Sequence, residues 1–286
     1  VQIVKVMGGL GNQMFAYAFA LALRNRGRDV RLDTTWYDRN QAHNGWELSR
    51  IFNLEIPTCT IEERDRLGDL SPRFAVRLRR KLFGERRGHY KERRPGYDAT
   101  FLNIEGDAYL DGFWQSPRYH EGIEREIEKA FCFSDDLEPE ARQLLLYAED
   151  RCRIGIHVRR GDFLSSEGLY GVCTREYYER AINTVSTEAK HPLVIFFSDD
   201  LDWCRENLAS GLDAVFVGWN RGRNSWRDMR LMTLCDRLVI ANSSFSWWGA
   251  RLGKPGRMIV APRNWFGKGL RDNRDIGMPG WIRLDA

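Results

Sequence analysis

Apolar and polar positions alternate along this chain in two rhythms, one of period two and one of period near 3.6. Residues 3–6 (Ile-Val-Lys-Val) read as a short strand. A glycine-containing turn leads from it into an apolar run over 14–23, rich in Ala and Leu, which predicts a buried helix. Residues 29–33 predict the next strand. Strand, helix, strand in that order is the sign of an α/β fold with a parallel sheet. A strand beginning at Tyr109 ends in a polar turn, and helices follow at 121–131 and 138–149. The strand at 153–158 opens a second series: helix 175–188, strand 193–197, helix 201–208, strand 214–217, helix 226–235 and strand 237–241. A last helix begins near Ser246, and 258–261 predicts a final strand. The alternation runs twice, with a break near residue 150. The expected architecture is α/β, with two Rossmann-like domains, 1–150 and 151–286, facing a central cleft. Ligands then sit beyond the carboxyl ends of the strands, where loops converge.

Residues 57–100 interrupt this order. Phe74, Leu78 and Leu82 are spaced by four with Arg between them, which predicts a basic amphipathic helix over 71–83. From Arg73 to Arg94 there are ten Lys and Arg against two Glu. Two readings stand for this segment: a solvated helix and loop, or a peripheral attachment to an anionic membrane or lipid-linked acceptor.

Composition narrows the class. The chain has 286 residues, 43% apolar and 29% charged, with 10 Trp, 15 Phe and 10 Tyr. That is a soluble globular composition with too much burial potential for disorder. The longest apolar run, 14–23, falls well short of the roughly 20 residues that span a bilayer. The first residues read as a strand and not as a signal peptide. Six cysteines at 59, 132, 152, 173, 204 and 235 show no C-x-x-C spacing, which fits reduced thiols of a cytoplasmic protein and leaves partial disulfide pairing open. The net charge is only +4, but residues 1–150 carry −2 and residues 151–286 carry +6. A basic second half suits an anionic ligand.

Four polar clusters fall at predicted strand ends. Gly8-Gly9-Leu10-Gly11-Asn12-Gln13 lets backbone approach a ligand closely and offers free N–H groups at a helix start. As a dinucleotide fingerprint it is poor, because Met14 stands where a third glycine belongs, although Asp33 sits roughly where a ribose-binding acid would. His157-Val-Arg159-Arg160-Gly161-Asp162 places guanidinium groups, which bind phosphate bidentately, at a strand's carboxyl end. In Phe196-Phe197-Ser198-Asp199-Asp200, Asp200 suits a helix cap and Asp199 suits a cleft. Asn242-Ser243-Ser244-Phe245-Ser246-Trp247-Trp248 carries more hydroxyls than a cap requires and reads as an anion cradle. Asp228, 14 residues before Asn242, can accept two hydrogen bonds from a guanine edge. Neither a Ser-His-Asp order nor a metal-ligand cluster accompanies them, so the set points to a diphosphate bound without metal.

Together these blocks resemble the bacterial α-1,2-fucosyltransferases of glycosyltransferase family 11. Gly-Gly-Leu-Gly-Asn-Gln-Met-Phe, His-Val-Arg-Arg-Gly-Asp-Phe, Phe-Ser-Asp-Asp and Asn-Ser-Ser-Phe-Ser-Trp-Trp-Gly are similar to the family's motifs and stand in its order. So do Phe113-Trp-Gln-Ser, Asp228-Met-Arg-Leu-Met and Ala261-Pro-Arg-Asn-Trp-Phe. The resemblance implies a GT-B fold with an amino-terminal acceptor domain and a carboxyl-terminal donor domain. It implies GDP-β-L-fucose as donor, no metal or other cofactor, inversion to an α-linked product, and the 2-hydroxyl of a terminal galactose on an oligosaccharide or O-antigen as acceptor. It also implies a cytoplasmic enzyme, with inner-membrane contact through 73–94 left open.

Under that resemblance Arg159 meets the leaving phosphate, helped by Ser243, Ser244, Phe245, Ser246 and Asn242. Asn12, Gly9 and Gly11 approach from the other domain, and His157 and Asp228 read guanine. Arg160 bridges to an acid, and Asp199 lines the donor site. Asp162 and Glu167 are the candidates for a general base, and a dissociative route without a strong base is the alternative. Two other functions compete: transfer from a different nucleotide sugar, and non-catalytic glycan or nucleotide binding. Nucleic-acid binding is disfavoured by the modest charge.

Overall fold

The computed structural model describes residues 1–40, 42–68, 70, 74–84, 88–134, 136–161, 171–266 and 275–286, the side chains of 42 and 75 excepted. It divides into two compact units, Val1–Cys132 and Phe133–Ala286. Each is a parallel α/β unit, as the alternating pattern predicts.

The first unit is built on a four-stranded sheet of β1 (Gln2–Lys5), β2 (Val30–Asp33), β3 (His89–Lys91) and β4 (Ala108–Asp111), in the order β2-β1-β4-β3 and parallel throughout. Helix α1 (Leu10–Asn25) crosses from β1 to β2, and twelve of its sixteen residues are buried. Its all-round apolar surface explains this, since a helix without a polar face has to be enclosed. Phe19 stacks on Trp114 at 4.2 Å, and Tyr119 meets Phe19 edge-on at 5.1 Å. The helix begins four residues before the apolar run, because the Gly9 carbonyl already accepts from Asn12 N at 2.9 Å and Gln13 N at 3.0 Å. Three short helices follow, α2 (Leu48–Ile51), α3 (Ile61–Gly68) and α4 (Phe74–Phe83), with α5 (Glu124–Ala130) closing the unit.

The second unit holds α6 (Pro139–Tyr147) and six parallel strands: β5 (Cys152–Val158), β6 (Pro192–Ser198), β7 (Ala214–Val217), β8 (Arg237–Val239), β9 (Met258–Pro262) and β10 (Ile282–Leu284). Their order is β10-β9-β8-β5-β6-β7. The helices are α7 (Arg175–Ser186), α8 (Leu201–Asn207), α9 (Trp226–Thr233) and α10 (Ser244–Arg251). The core lies between β5, β6, β8 and α7, around Ile154, Ile156, Tyr177, Tyr178 and Phe196. Among the described residues no helix is long and apolar enough to cross a membrane.

The unit boundary corrects the expected break at 150. Residues 133–150 belong with α9: Phe133 stacks on Trp226 at 5.9 Å, Glu138 pairs with Arg227 at 3.6 Å, and the Arg230 guanidinium donates to the Asp136 carbonyl. Strands β3 and β10 escape prediction because each is a three-residue edge strand, partly exposed on both faces.

Candidate active site

Strand β5 lies at the centre of the second sheet. From it the chain winds through β6 to β7 on one side, then returns through β8, β9 and β10 on the other. That reversal is a topological switch point, where α/β sheets open a crevice at the strands' carboxyl ends. Three of the predicted clusters sit at the carboxyl ends of β5, β6 and β8, which are neighbours in the sheet.

His157 closes β5. It is 6% exposed, and its ring centroid lies 5.9 Å from that of Phe245 in the first turn of α10. Burial, then the nearby Arg159 charge, pushes its pKa down to about 3, so the ring is neutral at physiological pH. Its buried Nδ1 has no hydrogen-bond partner among the described residues. A polar nitrogen left so in a finished core is costly, and a ligand would satisfy it.

Arg159 follows at the exit of the strand and pairs with Asp199 at 3.2 Å. Asp199 also accepts from the Arg160 backbone N–H at 3.0 Å and the Gly161 N–H at 3.1 Å. A Cβ at Gly161 would come within 2.9 Å of Asp199 Oδ2, so glycine permits this contact. Asp199, expected to line the donor site, has its carboxylate engaged with Arg159 and with the backbone that follows it. Arg160 is the residue expected to bridge to an acid. It pairs with Asp200 at 3.2 Å and lies over the Trp203 ring at 4.1 Å, while Asp200 caps α8 by accepting from Trp203 N at 3.1 Å.

The cluster after β8 splits into two kinds of residue. Ser243, the N-cap of α10, makes no side-chain cap bond, and Ser243, Ser244 and Phe245 are half-buried. The backbone N–H groups of Ser244, Phe245 and Ser246 belong to the first turn and have no acceptor within the helix. Asn242 and Ser246, by contrast, face inward. Asn242 Nδ2 donates to the carbonyls of Gly171 at 2.6 Å and Trp265 at 3.1 Å, and its Oδ1 accepts from the Cys173 thiol at 3.5 Å. The Ser246 hydroxyl is fully buried against the carbonyls of Ala241 and Ser243. Both side chains are engaged inside the protein, and Asn242 is an internal clip that fixes the turn.

Asp228 sits in the first turn of α9. Burial pushes its pKa up to about 7, against the Asn220 amide, which donates to it at 2.9 Å, and with a further push from the Glu138 charge. Helices α9 and α10 are locked together from their far ends. The buried Arg257 guanidinium donates to the carbonyls of Met232, Cys235, Gly249 and Ala250 at 2.6–2.9 Å. Met232, Gly249 and Ala250 lie in the last turns of their helices, where carbonyls lack i+4 partners, and Cys235 lies two residues beyond α9.

In the first unit the Gly8–Gln13 turn is fastened from every side. Gly8 takes φ +81, and its carbonyl accepts from Tyr37 Oη at 2.8 Å and Gln13 Nε2 at 3.2 Å. Gln13 also donates to the Gly45 carbonyl at 2.8 Å and accepts from Glu47 N at 2.9 Å. Asn12 is half-buried and accepts from Gln115 Nε2 at 2.7 Å. Gly9 is the N-cap of α1, and Gly11 is buried in its first turn. Asp33 is no ribose ligand: it is buried and accepts from Tyr109 Oη at 2.5 Å and from Thr35. Asp162 and Glu167, the candidate bases, lie outside the described residues.

The model of "Glycosyl transferase family 11" matches residues 105–285, well over half the chain. The chain belongs to glycosyl transferase family 11. Among relatives, an Escherichia coli alpha-1,2-colitosyltransferase is 29% identical over all of this chain and 99% of its own. The O-antigen biosynthesis glycosyltransferase WbnK of Escherichia coli is 27% identical over 97% of this chain and 98% of its own. The galactoside alpha-(1,2)-fucosyltransferase 1 of Ateles belzebuth is 26% identical over 98% of this chain and 73% of its own. Among solved structures, NodZ alpha-1,6-fucosyltransferase co-crystallized with GDP superposes with a TM-score of 0.51 at 17% identity, over 88% of this chain and 92% of that one. The family 11 chain therefore has a GT-B-type α/β fold and is a glycosyltransferase.

Two residues of the second unit, Asn220 and Arg257, carry no strong signal in the sequence, and Gln115 stands in the Phe113-Trp-Gln-Ser block with no sign there of its partner. Gln115 orients Asn12 from 103 positions away. Asn220 holds Asp228 from the end of β7, and only its place after a strand hints at it. Arg257 looks like any of the chain's many arginines until its four carbonyl partners are seen.

Proposed function

We propose that this enzyme transfers L-fucose from GDP-β-L-fucose to the 2-hydroxyl of a terminal galactose, with inversion and without a metal. The observation that carries the reading is the packing of His157 on Phe245 in the first turn of α10 at the switch point of the second sheet, with Arg159 two residues after His157 at the strand's exit. The α-1,2 linkage in the names of the colitosyl- and fucosyltransferase relatives supports the acceptor position.

In the proposed reaction the bond from the fucose anomeric carbon to the β-phosphate oxygen breaks, and its electron pair leaves with GDP. The carbon becomes oxocarbenium-like and bonds to the galactose 2-oxygen on the opposite face. Negative charge grows on the β-phosphate. Arg159, already oriented by Asp199, and the N–H groups of Ser244, Phe245 and Ser246 are the donors proposed to meet it, and such preorganised donors are usually the largest catalytic contribution. Charge neutralisation by arginine fills the role a divalent ion plays elsewhere. His157 and the Asp228 carboxylate are proposed to bind guanosine, Asp228 accepting from guanine N1–H and N2–H. The hydroxyl proton goes to Asp162 or Glu167. If one of them is the base, Asp162→Asn or Glu167→Gln lowers turnover at least about 100-fold. Equal, mild effects from both point to a dissociative route. The six free thiols support a reducing compartment, and we place the reaction in the cytoplasm.

The full-length similarity to a colitosyltransferase favours one alternative donor, the GDP ester of colitose, which is fucose without its 3-hydroxyl. A site that hydrogen-bonds that hydroxyl discriminates by up to about 10⁴-fold. The test is transfer to lactose in EDTA with each GDP-sugar, product linkage being read by NMR. A 2-O-α-fucosyl product formed faster than the colitosyl one supports the proposal. A dominant colitosyl product replaces the donor. Loss of activity in EDTA with recovery on Mn²⁺ overturns metal independence.

A further inference from the structure

Helix α4 (Phe74–Phe83) is turned inside out for a helix in water. At 100° per residue, Phe74, Leu78 and Leu82 form one apolar stripe, with Arg77 and Lys81 along one border and Arg79 along the other. In a soluble protein such a stripe faces the core. Here Phe74 is 78% exposed, Leu78 44% and Leu82 65%, and Phe83 at the carboxyl end is 79% exposed. The half-buried positions are Arg79, at the border of the stripe, and Val76 and Arg80, on the opposite side of the helix. Thus the side turned toward the protein carries Val76 and Arg80, and the face turned outward carries Phe74, Leu78 and Leu82. Arg77 and Lys81 are exposed beside that outward stripe, and the ten-residue helix has no acidic residue.

A partner for this face has to take apolar side chains and neutralise cations at their border. A second protein surface would need an apolar groove with an acidic rim. A bilayer surface with anionic headgroups offers both as a continuous medium. It receives apolar side chains of a helix lying in its plane and attracts the flanking Lys and Arg. A ten-residue helix is about 15 Å long, half of what crossing the hydrocarbon core requires, so the geometry is that of a helix lying on the membrane.

We propose that α4 is a membrane-surface docking element that seats this enzyme on anionic bilayers through Phe74, Leu78 and Leu82, with Arg77 and Lys81 contacting lipid phosphates. This goes beyond the donor and acceptor chemistry and does not depend on it, because none of these residues belongs to the site at the switch point.

The test is co-sedimentation of the full chain with vesicles of phosphatidylglycerol and phosphatidylcholine, and with vesicles of phosphatidylcholine alone. Binding is expected to the mixed vesicles and to be much weaker to the neutral ones. F74S/L78S/L82S is expected to weaken binding at least about 100-fold. R77Q/K81Q is expected to weaken it about 20-fold and to flatten its salt dependence, at about fivefold per cation near an anionic surface. All variants change exposed side chains and are expected to keep the melting temperature and turnover of a soluble galactoside. Wild-type protein that stays in the supernatant, variants that bind as well as wild type, or equal binding to neutral and anionic vesicles would overturn the proposal. So would sedimentation equilibrium showing a dimer that the triple variant converts to monomer.

Discussion

The turn from β1 into α1 and the turn from β8 into α10 both follow a parallel strand and both open a helix with no side-chain cap. Their polar groups end in different states. Around Gly8–Gln13 almost every polar group finds a protein partner: the Gly8 carbonyl is taken by Tyr37 and Gln13, and Asn12 by Gln115. Around Ser243–Ser246 the fixing is done from behind, by Asn242 and the Ser246 hydroxyl, while the first-turn N–H groups have no acceptor within the helix and the His157 ring, 5.9 Å from Phe245, keeps a buried nitrogen with no partner among the described residues. The first turn is held by what it satisfies. The second is held so that something else can satisfy it, and that is where a charged ligand gains most.

The contrast predicts different failures. Arg159→Ala in the second unit should lower turnover about 1,000-fold. It should leave the melting temperature nearly unchanged, because its ion pair with Asp199 is partly exposed. Steady-state kinetics beside calorimetry checks both. Gln13→Ala should do the reverse. It removes a buried amide with partners at Gly8, Gly45, Glu47 and Leu48, and should cost about 3 kcal/mol in urea unfolding while changing turnover of the folded enzyme by only a few-fold. If Gln13→Ala proved mainly kinetic, the contrast between the turns would fail.

Smaller effects follow from titration in the second unit. The Asp228 pKa is raised on folding, so the folded state binds more protons than the unfolded one between about pH 4 and 7. Its ionisation therefore costs stability as pH rises through that window, and the full cost stands above pH 7. Asp228→Asn should stabilise the protein by about 2 kcal/mol at pH 8 and not at pH 4. It should also weaken GDP binding at pH 8, and wild-type affinity should fall as pH drops below 7. His157 has the opposite slope. Its lowered pKa makes the unfolded state bind the extra proton between about pH 6.5 and 3, so its contribution is present above pH 6.5 and is lost on acidification. Unfolding curves from pH 4 to 8 of His157→Phe and Asp228→Asn separate the two.

Much of this was legible in residue order. Alternating strands and helices gave the parallel α/β class, and clusters at strand ends located the loops that meet at the switch point. Which member of each cluster faces a ligand was not legible, because that depends on partners remote in sequence. Nothing near Asn242 in the sequence shows that Gly171 and Trp265 engage its amide, and nothing near Asp199 shows that the 160–161 backbone donates to it. The break lies earlier than 150 because α6 has a helical pattern compatible with either unit, and only the contacts just before it, Phe133 with Trp226 and its N-cap Glu138 with Arg227, tie it to the second.

The most direct measurement is isothermal titration of GDP in EDTA into wild type, Arg159→Ala and Asn12→Ala. With the diphosphate bound at the switch point, Arg159→Ala should weaken binding at least about 30-fold, the worth of a charge-assisted contact, and Asn12→Ala less than about threefold. Undiminished binding by Arg159→Ala, or an equal loss in Asn12→Ala, would contradict the account.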